Sequence, residues 1–311
     1  MLDETARGVY IIAVTPFDKR GALDLDSTDR LIDFYVGSGA DGLTILGMMG
    51  EAPKLAHEEA VTFAQRVISR AGKLPVVVGV SAPGLASLAA LTKAVMDRGA
   101  ASVMIAPPGG LKGDDAIVTY FETCAEAIGK VPFALQDFPQ ANGLFIPVSV
   151  IERVAATCPT CVMLKHEDWP GLDKITALRG REKKHGMRRL SILSGNCGIF
   201  LPFELARGAD GAMTGYAFPE MLVDVYTLMA AGRCSEAHDL FDAHLPLVRY
   251  EQQPGVGLAV RKYVLWRRGV LKSDAQRKPG PRVSRETAAE IDFMLERLER
   301  ATASRPVRAA S

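Results

Sequence analysis

The sequence predicts an α/β fold: a (β/α)8 TIM barrel with a C-terminal helical extension. Three features predict it, namely the chain length, eight short apolar runs, and the helical segments that separate these runs. The 311 residues exceed the about 250 that are typical of such a barrel, so the surplus predicts an appended segment. With 48% hydrophobic and 23% charged residues, the composition is that of a globular protein with a large core.

Eight apolar runs recur over the first 216 residues and are bounded by glycine and proline. Continuous apolar runs of this length are typical of strands that are buried on both faces, as in a parallel sheet. The runs are VYIIAVTPF (9–17), GLTILG (42–47), PVVVGVS (75–81), SVMIAPP (102–108), PFALQDFP (132–139), VMLKHE (162–167), SILSGN (191–196) and GAMTGY (211–216).

The segments between these runs have apolar residues at three-and-four spacing and end near glycine, which predicts helices. Alternating strands and helices indicate a parallel α/β fold, and eight such units favour a closed barrel. The alternative is an open doubly wound sheet with a dinucleotide site. That fold requires G-x-G-x-x-G after the first strand, whereas the first run ends in Thr15-Pro16-Phe17.

After residue 216 the pattern becomes purely helical. Helices are predicted at 219–231, 235–249, 256–268 and 284–302, and the first of them is the eighth barrel helix. We therefore predict a barrel over residues 1–232 and a C-terminal helical bundle over residues 233–311 that packs on the barrel.

The charge pattern and the N-terminus exclude several classes of protein. The formal net charge is +1, and the densest basic run, residues 181–189, is interpreted as a solvated helix end, so no nucleic-acid partner is predicted. No window approaches the about 18 apolar residues of a membrane span, and no signal peptide is evident. We expect a cytoplasmic protein.

The five cysteines do not predict a disulfide framework, because their number is odd and the chain is large. Cys158 and Cys161 have C-x-x-C spacing but precede a strand-like run, so they are interpreted as structural thiols in a turn. A zinc site would need a second ligand pair at suitable spacing, and the sequence has none.

Lys165 is the most informative residue at a predicted strand end, where the active sites of such barrels lie. A lysine is rarely found in a buried strand unless it is paired or functional. Burial favours the neutral amine, which can attack a carbonyl and form an iminium that accepts electrons. Position alone equally allows a lysine that reaches solvent or pairs with Glu167. Because neighbours in a strand alternate faces, Glu167 rather than His166 shares the face of Lys165.

Two further strand ends carry polar or glycine-rich motifs. In Gly47-Met48-Met49-Gly50-Glu51 the glycines permit a tight turn whose N–H groups can hold a carboxylate, although an ordinary turn is the alternative. Gln136 offers a donor and an acceptor but moves no proton at neutral pH. Asp137 can move a proton, although an aspartate at a strand end is more commonly a turn or cap residue.

Together these motifs resemble the dihydrodipicolinate synthase / N-acetylneuraminate lyase family of Schiff-base barrels, over about residues 8–300. Gly8 to Phe17 resembles the first strand of that family, and residues 47–51 resemble its Gly-Thr-Thr-Gly-Glu loop, which holds the keto-acid carboxylate. Lys165 falls where the family carries its Schiff-base lysine. Ser194-Gly195-Asn196 and residues 211–215 resemble its last two strands.

Several positions depart from the synthase pattern. Gln136 stands where the synthases carry a tyrosine that shuttles protons, and Ala141 replaces an arginine that binds a second carboxylate. Met48-Met49 replaces a Thr-Thr pair, and Gly109-Gly110 replaces a second tyrosine. The hydroxyl relay of the family is therefore missing, which argues against synthesis of dihydrodipicolinate.

The motif Gln136-Asp137-Phe138-Pro139 instead resembles the 2-keto-3-deoxy sugar acid dehydratase branch of the family. Residues 246–258 and 269–274 also resemble the C-terminal helices of that branch, whereas Met48-Met49 is not its usual loop. The resemblance thus predicts a lyase that dehydrates or cleaves a 2-keto-3-deoxy sugar acid. The alternatives are a synthase-like pyruvate aldolase and a catalytically silent member that binds a keto acid.

The resemblance also implies roles for individual residues. Lys165 forms the Schiff base, and a base, or a water held by Gln136 or Glu167, removes the C3 proton. The N–H groups of Met49 and Gly50 hold the substrate carboxylate. The predicted substrate-binding set is Gly47, Met48, Met49, Gly50, Glu51, Gly195, Asn196 and Met213.

The implied chemistry requires neither a metal nor a cofactor, because the iminium takes the place of a Lewis acid. The implied partner is a small 2-keto acid, and the implied assembly is a homotetramer. Loss of the C4 hydroxyl would complete a dehydration, and rupture of the C3–C4 bond would release pyruvate and an aldehyde. The two methionines are interpreted as packing beneath their loop, and the alternative is that they favour a less polar substrate.

Overall fold

A closed barrel of eight parallel strands forms the centre of the protein, which confirms the predicted fold class. The computed structural model describes residues 1–169 and 171–303. The strands are β1 (Gly8–Ile12), β2 (Gly42–Ile45), β3 (Val76–Gly79), β4 (Ser102–Ile105), β5 (Phe133–Asp137), β6 (Cys161–His166), β7 (Ser191–Ser194) and β8 (Gly211–Thr214).

Seven of the eight strands are shorter than the apolar runs that predict them, and β6 has the same length as its run. The strands contain four to six residues, and the last residues of the runs form loops. Thr15, for example, lies beyond β1 and donates its hydroxyl to the Gly50 carbonyl at 2.6 Å. Apolar character therefore continues past the last ladder hydrogen bond, into the loops that build the mouth of the barrel.

Helices cover the outside of the barrel and continue beyond it. Those that follow the strands are α1 (Leu25–Gly37), α2 (His57–Ala71), α3 (Leu85–Met96), α4 (Asp114–Ile128), α5 (Pro139–Asn142), α6 (Val148–Thr157), α7 (Leu172–His185), α8 (Leu201–Ala206) and α9 (Pro219–Ala230). The remaining ones are α10 (Cys234–Glu251), α11 (Gly257–Arg267) and α12 (Arg285–Thr302). The last four helices lie within two residues of their predicted ranges, which is the usual uncertainty of helix ends.

Two hydrophobic clusters fill the fold. The larger one lies between the outer faces of the strands and the helices, and includes Leu31, Phe63 and Phe121, all fully buried. The smaller one fills the inside of the barrel and includes Tyr10 and Met213. Because the inside is packed with side chains, the barrel has no pore, and a ligand must bind at one end.

The predicted boundary at residue 232 falls between α9 and α10. Helix α10 packs against α8, α9, α11 and α12. The division into a barrel and a separate bundle stays a prediction, and residues 304–311 of the predicted bundle lie outside the described residues.

Cys158 and Cys161 are both buried and free. Burial raises the pKa of the Cys161 thiol to about 12. A thiol is reactive as the thiolate, so these side chains are inert at neutral pH, in line with their interpretation as structural residues.

Candidate active site

A pocket of about 350 Å³ opens at the C-terminal ends of the strands. Its floor consists of strand-end residues from the barrel, among them Gln136 and Lys165. Its walls come from the β2 loop and from two C-terminal segments, residues 252–258 and 279–281. The pocket therefore lies where barrels of this kind bind substrates.

Lys165, Glu167 and Gln136 form one hydrogen-bonded cluster in this pocket. Lys165 is 3% exposed, and its Nζ lies 2.8 Å from Glu167 Oε2. Gln136 Nε2 donates to the same oxygen at 2.7 Å. Lys165 and Gln136 are direct partners in the β5–β6 register, which brings their side chains together. As strand alternation predicts, Glu167 shares the face of Lys165.

The loop after β7 leaves space for Glu167. A Cβ atom on Gly195 would lie 2.1 Å from Glu167 Cγ, which is far inside van der Waals contact. Asn196 Nδ2 donates to the Glu167 carbonyl at 2.9 Å. Asn196 and Cys197 both have positive φ angles, an unfavourable conformation that persists where surrounding contacts impose it and that clusters at functional sites. Gly195 and Asn196 thus position the end of β6.

The loop after β2 contains two 3-10 turns, Met48–Gly50 and Ala52–Lys54, with left-handed residues at Leu46 and Glu51. The Gly50 N–H donates to the Gly47 carbonyl at 3.0 Å, so this predicted carboxylate donor is already engaged within the turn. Met48 is 54% exposed and faces the pocket, as does Met49. Methionine side chains therefore give this wall of the pocket its apolar surface.

The structure brings only part of the predicted site to the pocket surface. Gln136, Lys165 and Glu167 line the pocket, together with Met48, Met49 and Asn196. Gly47, Gly50, Glu51, Gly195 and Met213 do not belong to the lining, and lie behind it or within the packed core.

Glu51 holds the β2 loop to the C-terminal segment. It is 2% exposed, and its carboxylate accepts from Lys262 Nζ at 2.5 Å and from Lys54 Nζ at 2.8 Å. The backbone N–H of Arg277 also donates to it at 3.1 Å. Burial lowers the pKa of Lys262, and the nearby Glu51 carboxylate opposes that shift. With its oxygens engaged in this way, Glu51 anchors the pocket walls.

Replacing Glu51 with alanine should lower the free energy of unfolding by about 3–5 kcal/mol, because the ammonium of Lys262, which is 0% exposed, would lose its partner. Urea denaturation at neutral pH would measure the loss. Glu236→Ala is the matched control, since its ion pair with Arg233 is exposed and should contribute far less to stability than a buried pair. Equal losses in the two variants would show that Glu51 has no such role.

Behind the pocket, the outward-facing residues of β5 and β6 form a second polar group that includes Glu204 of α8. Asp137 accepts from Lys174 at 2.6 Å, and His166 contacts the Gly171 carbonyl at 3.0 Å. Asp137 therefore lies outside the barrel wall and away from the pocket. Burial raises the pKa of Glu204 to about 7, whereas the charge of His166 and the Ser194 hydroxyl act in the opposite direction.

The elevated pKa of Glu204 predicts a pH-dependent stability. Between its ordinary value of 4.5 and about 7, the folded protein holds a proton that the unfolded chain has released, so the contribution of Glu204 falls as pH rises through this window. The free energy of unfolding of Glu204→Gln, relative to that of the parent protein, should therefore be about 3 kcal/mol higher at about pH 8 than at about pH 4. Urea denaturation at both pH values tests this, and a pH-independent difference would contradict it.

Some pocket residues are not predicted from sequence, because they do not lie at the ends of strands. Gln252 and Arg261 belong to the C-terminal helices, far along the chain from any strand. Gln252 Nε2 donates to Asn196 Oδ1 at 3.3 Å, and Arg261 is paired with Glu251 at 2.9 Å and donates to Cys197 Sγ at 2.9 Å. A buried arginine on a helix is the one available hint, because arginine is rarely buried unless it is paired.

The sequence model of the dihydrodipicolinate synthetase family matches residues 5–298. The chain belongs to this family. Its members are lyases of the class I aldolase type, so the chain is a lyase of this family. Among the described residues, no helix is long and apolar enough to cross a membrane.

Curated relatives of the family carry two different activities. The chain is 29% identical over 300 residues to an L-2-keto-3-deoxyarabonate dehydratase from Azospirillum brasilense, with 94% of each chain covered. It is 28% identical over 254 residues to a 4-hydroxy-tetrahydrodipicolinate synthase from Oceanobacillus iheyensis, with coverage of 78% of this chain and 80% of the relative.

A solved structure shares more of the sequence. The crystal structure of a dihydrodipicolinate synthase from Rhodopseudomonas palustris is 55% identical and superposes with a TM-score of 0.94, covering 95% of this chain and 99% of the other. These relatives establish the family and the fold and leave the specific activity to be argued from the site.

Proposed function

We propose that the protein is a Schiff-base-forming lyase that dehydrates or cleaves a 2-keto-3-deoxy sugar acid. The observation that supports this most directly is the 2.8 Å contact between Lys165 Nζ and Glu167 Oε2 at the base of the pocket. It pairs an amine that can bind a ketone with a carboxylate that can accept and return a proton.

In the first step Lys165 attacks the C2 ketone of the substrate. An ammonium must first lose a proton, and the direct contact with Glu167 provides the acceptor. Addition of the amine gives a carbinolamine. Its hydroxyl takes the proton back from Glu167 and leaves as water, which gives an iminium between Nζ and C2 and restores the Glu167 carboxylate. The burial of Lys165 excludes bulk water from this bond, which favours its persistence.

In the second step Glu167 acts as the base at C3. Its carboxylate takes the C3 proton, and the released electron pair forms the enamine between C2 and C3. The enamine then expels the C4 hydroxyl, which leaves as water with the proton that Glu167 has just accepted. Hydrolysis of the iminium releases the product and restores the lysine. Gln136 cannot exchange a proton, so its 2.7 Å bond to Glu167 is assigned to orientation of the carboxylate.

Cleavage of the substrate would use the same two residues, Lys165 and Glu167, but would break the C3–C4 bond. Glu167 would take the proton of the C4 hydroxyl, the C3–C4 bond would break, and an aldehyde would leave. The resulting enamine at C3 would regain the proton and hydrolyse to pyruvate. Both outcomes share the iminium, so the substituent at C4 and its orientation decide between them.

The carboxylate of the keto acid is assigned to the β2 loop. Of the two predicted donors, Gly50 is engaged with Gly47 at 3.0 Å, which favours the N–H of Met49. Met49 also lines the pocket beside Lys165. The methionine side chains would then contact the carbon chain of the substrate.

Dehydration is supported by the dehydratase relative, which matches this chain over 94% of both sequences. The second candidate, a synthase acting on pyruvate, is favoured by the 55% identity to the Rhodopseudomonas palustris structure. Against it stands Gln136, in the position where the synthases carry a tyrosine that shuttles protons.

A panel of 2-keto-3-deoxy sugar acids, followed separately for loss of water and for release of pyruvate, tests the proposal. We expect turnover of at least one of them, with one of the two products. The synthase alternative predicts condensation of pyruvate with an aldehyde instead. The absence of turnover together with no borohydride trapping of any 2-keto acid would refute the proposed function.

We also propose a homotetramer, as the family resemblance implies. Large apolar side chains on the outer surface of the C-terminal helices, Trp266 and Phe293, are 42% and 58% exposed and would be available for contacts between copies. Light scattering after size exclusion should give four times the mass of the chain, and a monomer mass at micromolar concentration would contradict the proposal.

A further inference from the structure

A second cavity, of about 690 Å³, lies next to the active-site pocket. One wall comes from the loop after β1 and contains Lys19 and Arg20. The opposite wall comes from the loop between α11 and α12 and contains Arg277, Lys278 and Arg282. We call this space the basic cavity.

The basic cavity concentrates positive charge in a chain whose net charge is only +1. Its lining holds five cationic side chains and one carboxylate, that of Asp274. Arg277 is already bonded to Glu59. In the part of the chain that the structure describes, the other four cations form no ion pair, although the charge of Arg20 acts on Asp18.

Some exposed arginines elsewhere in the protein are paired. Arg66, Arg153 and Arg233 each contact a carboxylate within 2.7 Å. Four unpaired cations around a concave surface create a positive potential that is reinforced by the low-dielectric walls. A multiply charged anion would neutralise them together.

The walls of the basic cavity are held in place before any ligand binds. The Arg277 guanidinium donates to the Gly21 carbonyl, to the Lys54 carbonyl and to Glu59, and it lies 4.6 Å from the ring centre of Phe17. These contacts tie the C-terminal loop to the β1 loop. A binding site whose walls are already ordered loses less entropy when its ligand binds.

The basic cavity and the active-site pocket share a wall. Gln276, Gly280 and Pro281 line both of them, and Gln276 Nε2 donates to the Pro281 carbonyl at 3.0 Å. A ligand held by Lys278 or Arg282 would therefore lie beside the space that the substrate occupies.

We propose that the basic cavity is an oxyanion site that binds a phosphate group. Guanidinium groups suit the paired oxygens of phosphate, and lysine adds point charges. The phosphate can belong to a phosphorylated sugar-acid substrate or can be a separate inorganic ion. The site itself does not depend on the Schiff-base chemistry, whereas its use by a substrate rests on the proposed function.

Titration calorimetry with inorganic phosphate, in a phosphate-free buffer of low ionic strength, tests the site. The parent protein should bind phosphate saturably at one site per chain. The double variant Lys278→Ala/Arg282→Ala should bind at least about tenfold more weakly, which corresponds to about 1.4 kcal/mol. Both residues are exposed, so the variant is expected to fold normally, and circular dichroism checks this.

The matched control is Lys183→Ala/Lys184→Ala on α7, which removes the same charge from an exposed helix surface. Its phosphate affinity should equal that of the parent protein, and the Lys165→Ala variant should also retain that affinity. The proposal is overturned if binding is not saturable, or if the control loses as much affinity as the cavity variant.

A kinetic comparison identifies the source of the phosphate. If the site serves the substrate, a phosphorylated sugar acid should have a lower KM than its unphosphorylated counterpart, and the cavity variant should lose that difference. If the site serves a free ion, inorganic phosphate should change the kinetics of the unphosphorylated substrate in the parent protein and not in the variant. Either result supports the site. Saturable phosphate binding with neither turnover nor borohydride trapping of any 2-keto acid would refute the proposed function and leave the phosphate site supported.

Discussion

Lys165→Ala should abolish covalent trapping and reduce turnover by at least about 10⁴-fold, since removal of a nucleophile leaves only binding and electrostatic effects. Incubation of the parent protein with pyruvate and borohydride should add the mass of the reduced adduct to the peptide that contains Lys165. The variant should gain no mass. Mass spectrometry of the intact and digested protein measures both outcomes.

Lys174→Ala is the matched control for this experiment. Lys174 is a half-buried lysine close to the same strand ends, but it pairs with Asp137 and Asp168 outside the pocket. Its loss should leave trapping at Lys165 intact. Trapping in the parent protein combined with retained turnover in Lys165→Ala would contradict the mechanism, although it would still support binding of a keto acid.

Glu167→Gln should reduce kcat by about 10²–10⁴-fold and should slow trapping at Lys165 without abolishing it, because a positioned acid or base contributes a factor of this size. The amide keeps the shape of the side chain and can still contact Lys165, but it cannot carry the C3 proton. Steady-state kinetics on the best substrate of the panel, together with borohydride trapping, separate the two steps. A variant that loses trapping altogether would show that the essential role of Glu167 is proton removal from Lys165, and would leave the proposed role at C3 without support.

Gly195→Ala provides a second test of the same carboxylate. The added methyl group would lie 2.1 Å from Glu167 Cγ. This overlap would displace the Glu167 side chain from Lys165. Turnover should fall in the same range as for Glu167→Gln. Gly180→Ala is the control, because a Cβ on Gly180 of α7 meets nothing within 4 Å.

The barrel and its catalytic end are predictable from sequence because both follow from short-range patterns. Apolar runs that are buried on both faces give the strands, and the strand-end rule then selects Lys165, Glu167 and Gln136 as neighbours. Their contacts follow from the alternation within β6 and from the register of β5 with β6.

The walls of the pocket are less predictable because they depend on long-range contacts. Glu51 has the appearance of a loop ligand, yet 211 residues separate it from Lys262, its closest partner. Glu204 belongs to no recognisable motif, and its raised pKa arises from burial of its side chain within α8. The environments of both residues depend on how the helices pack on the barrel, and local sequence patterns do not encode that packing.

The Glu51 ion pairs and the contacts of Arg261 join two parts of the molecule with different tasks. In the proposed mechanism the barrel strands supply the groups for bond making, and the segment after α10 supplies much of the wall of the pocket. Chemistry and selectivity are thereby encoded in separate stretches of the chain. Exchanging residues 252–258 or 276–282 for those of a relative would then alter which molecules enter, while the reactive lysine and its carboxylate stay unchanged.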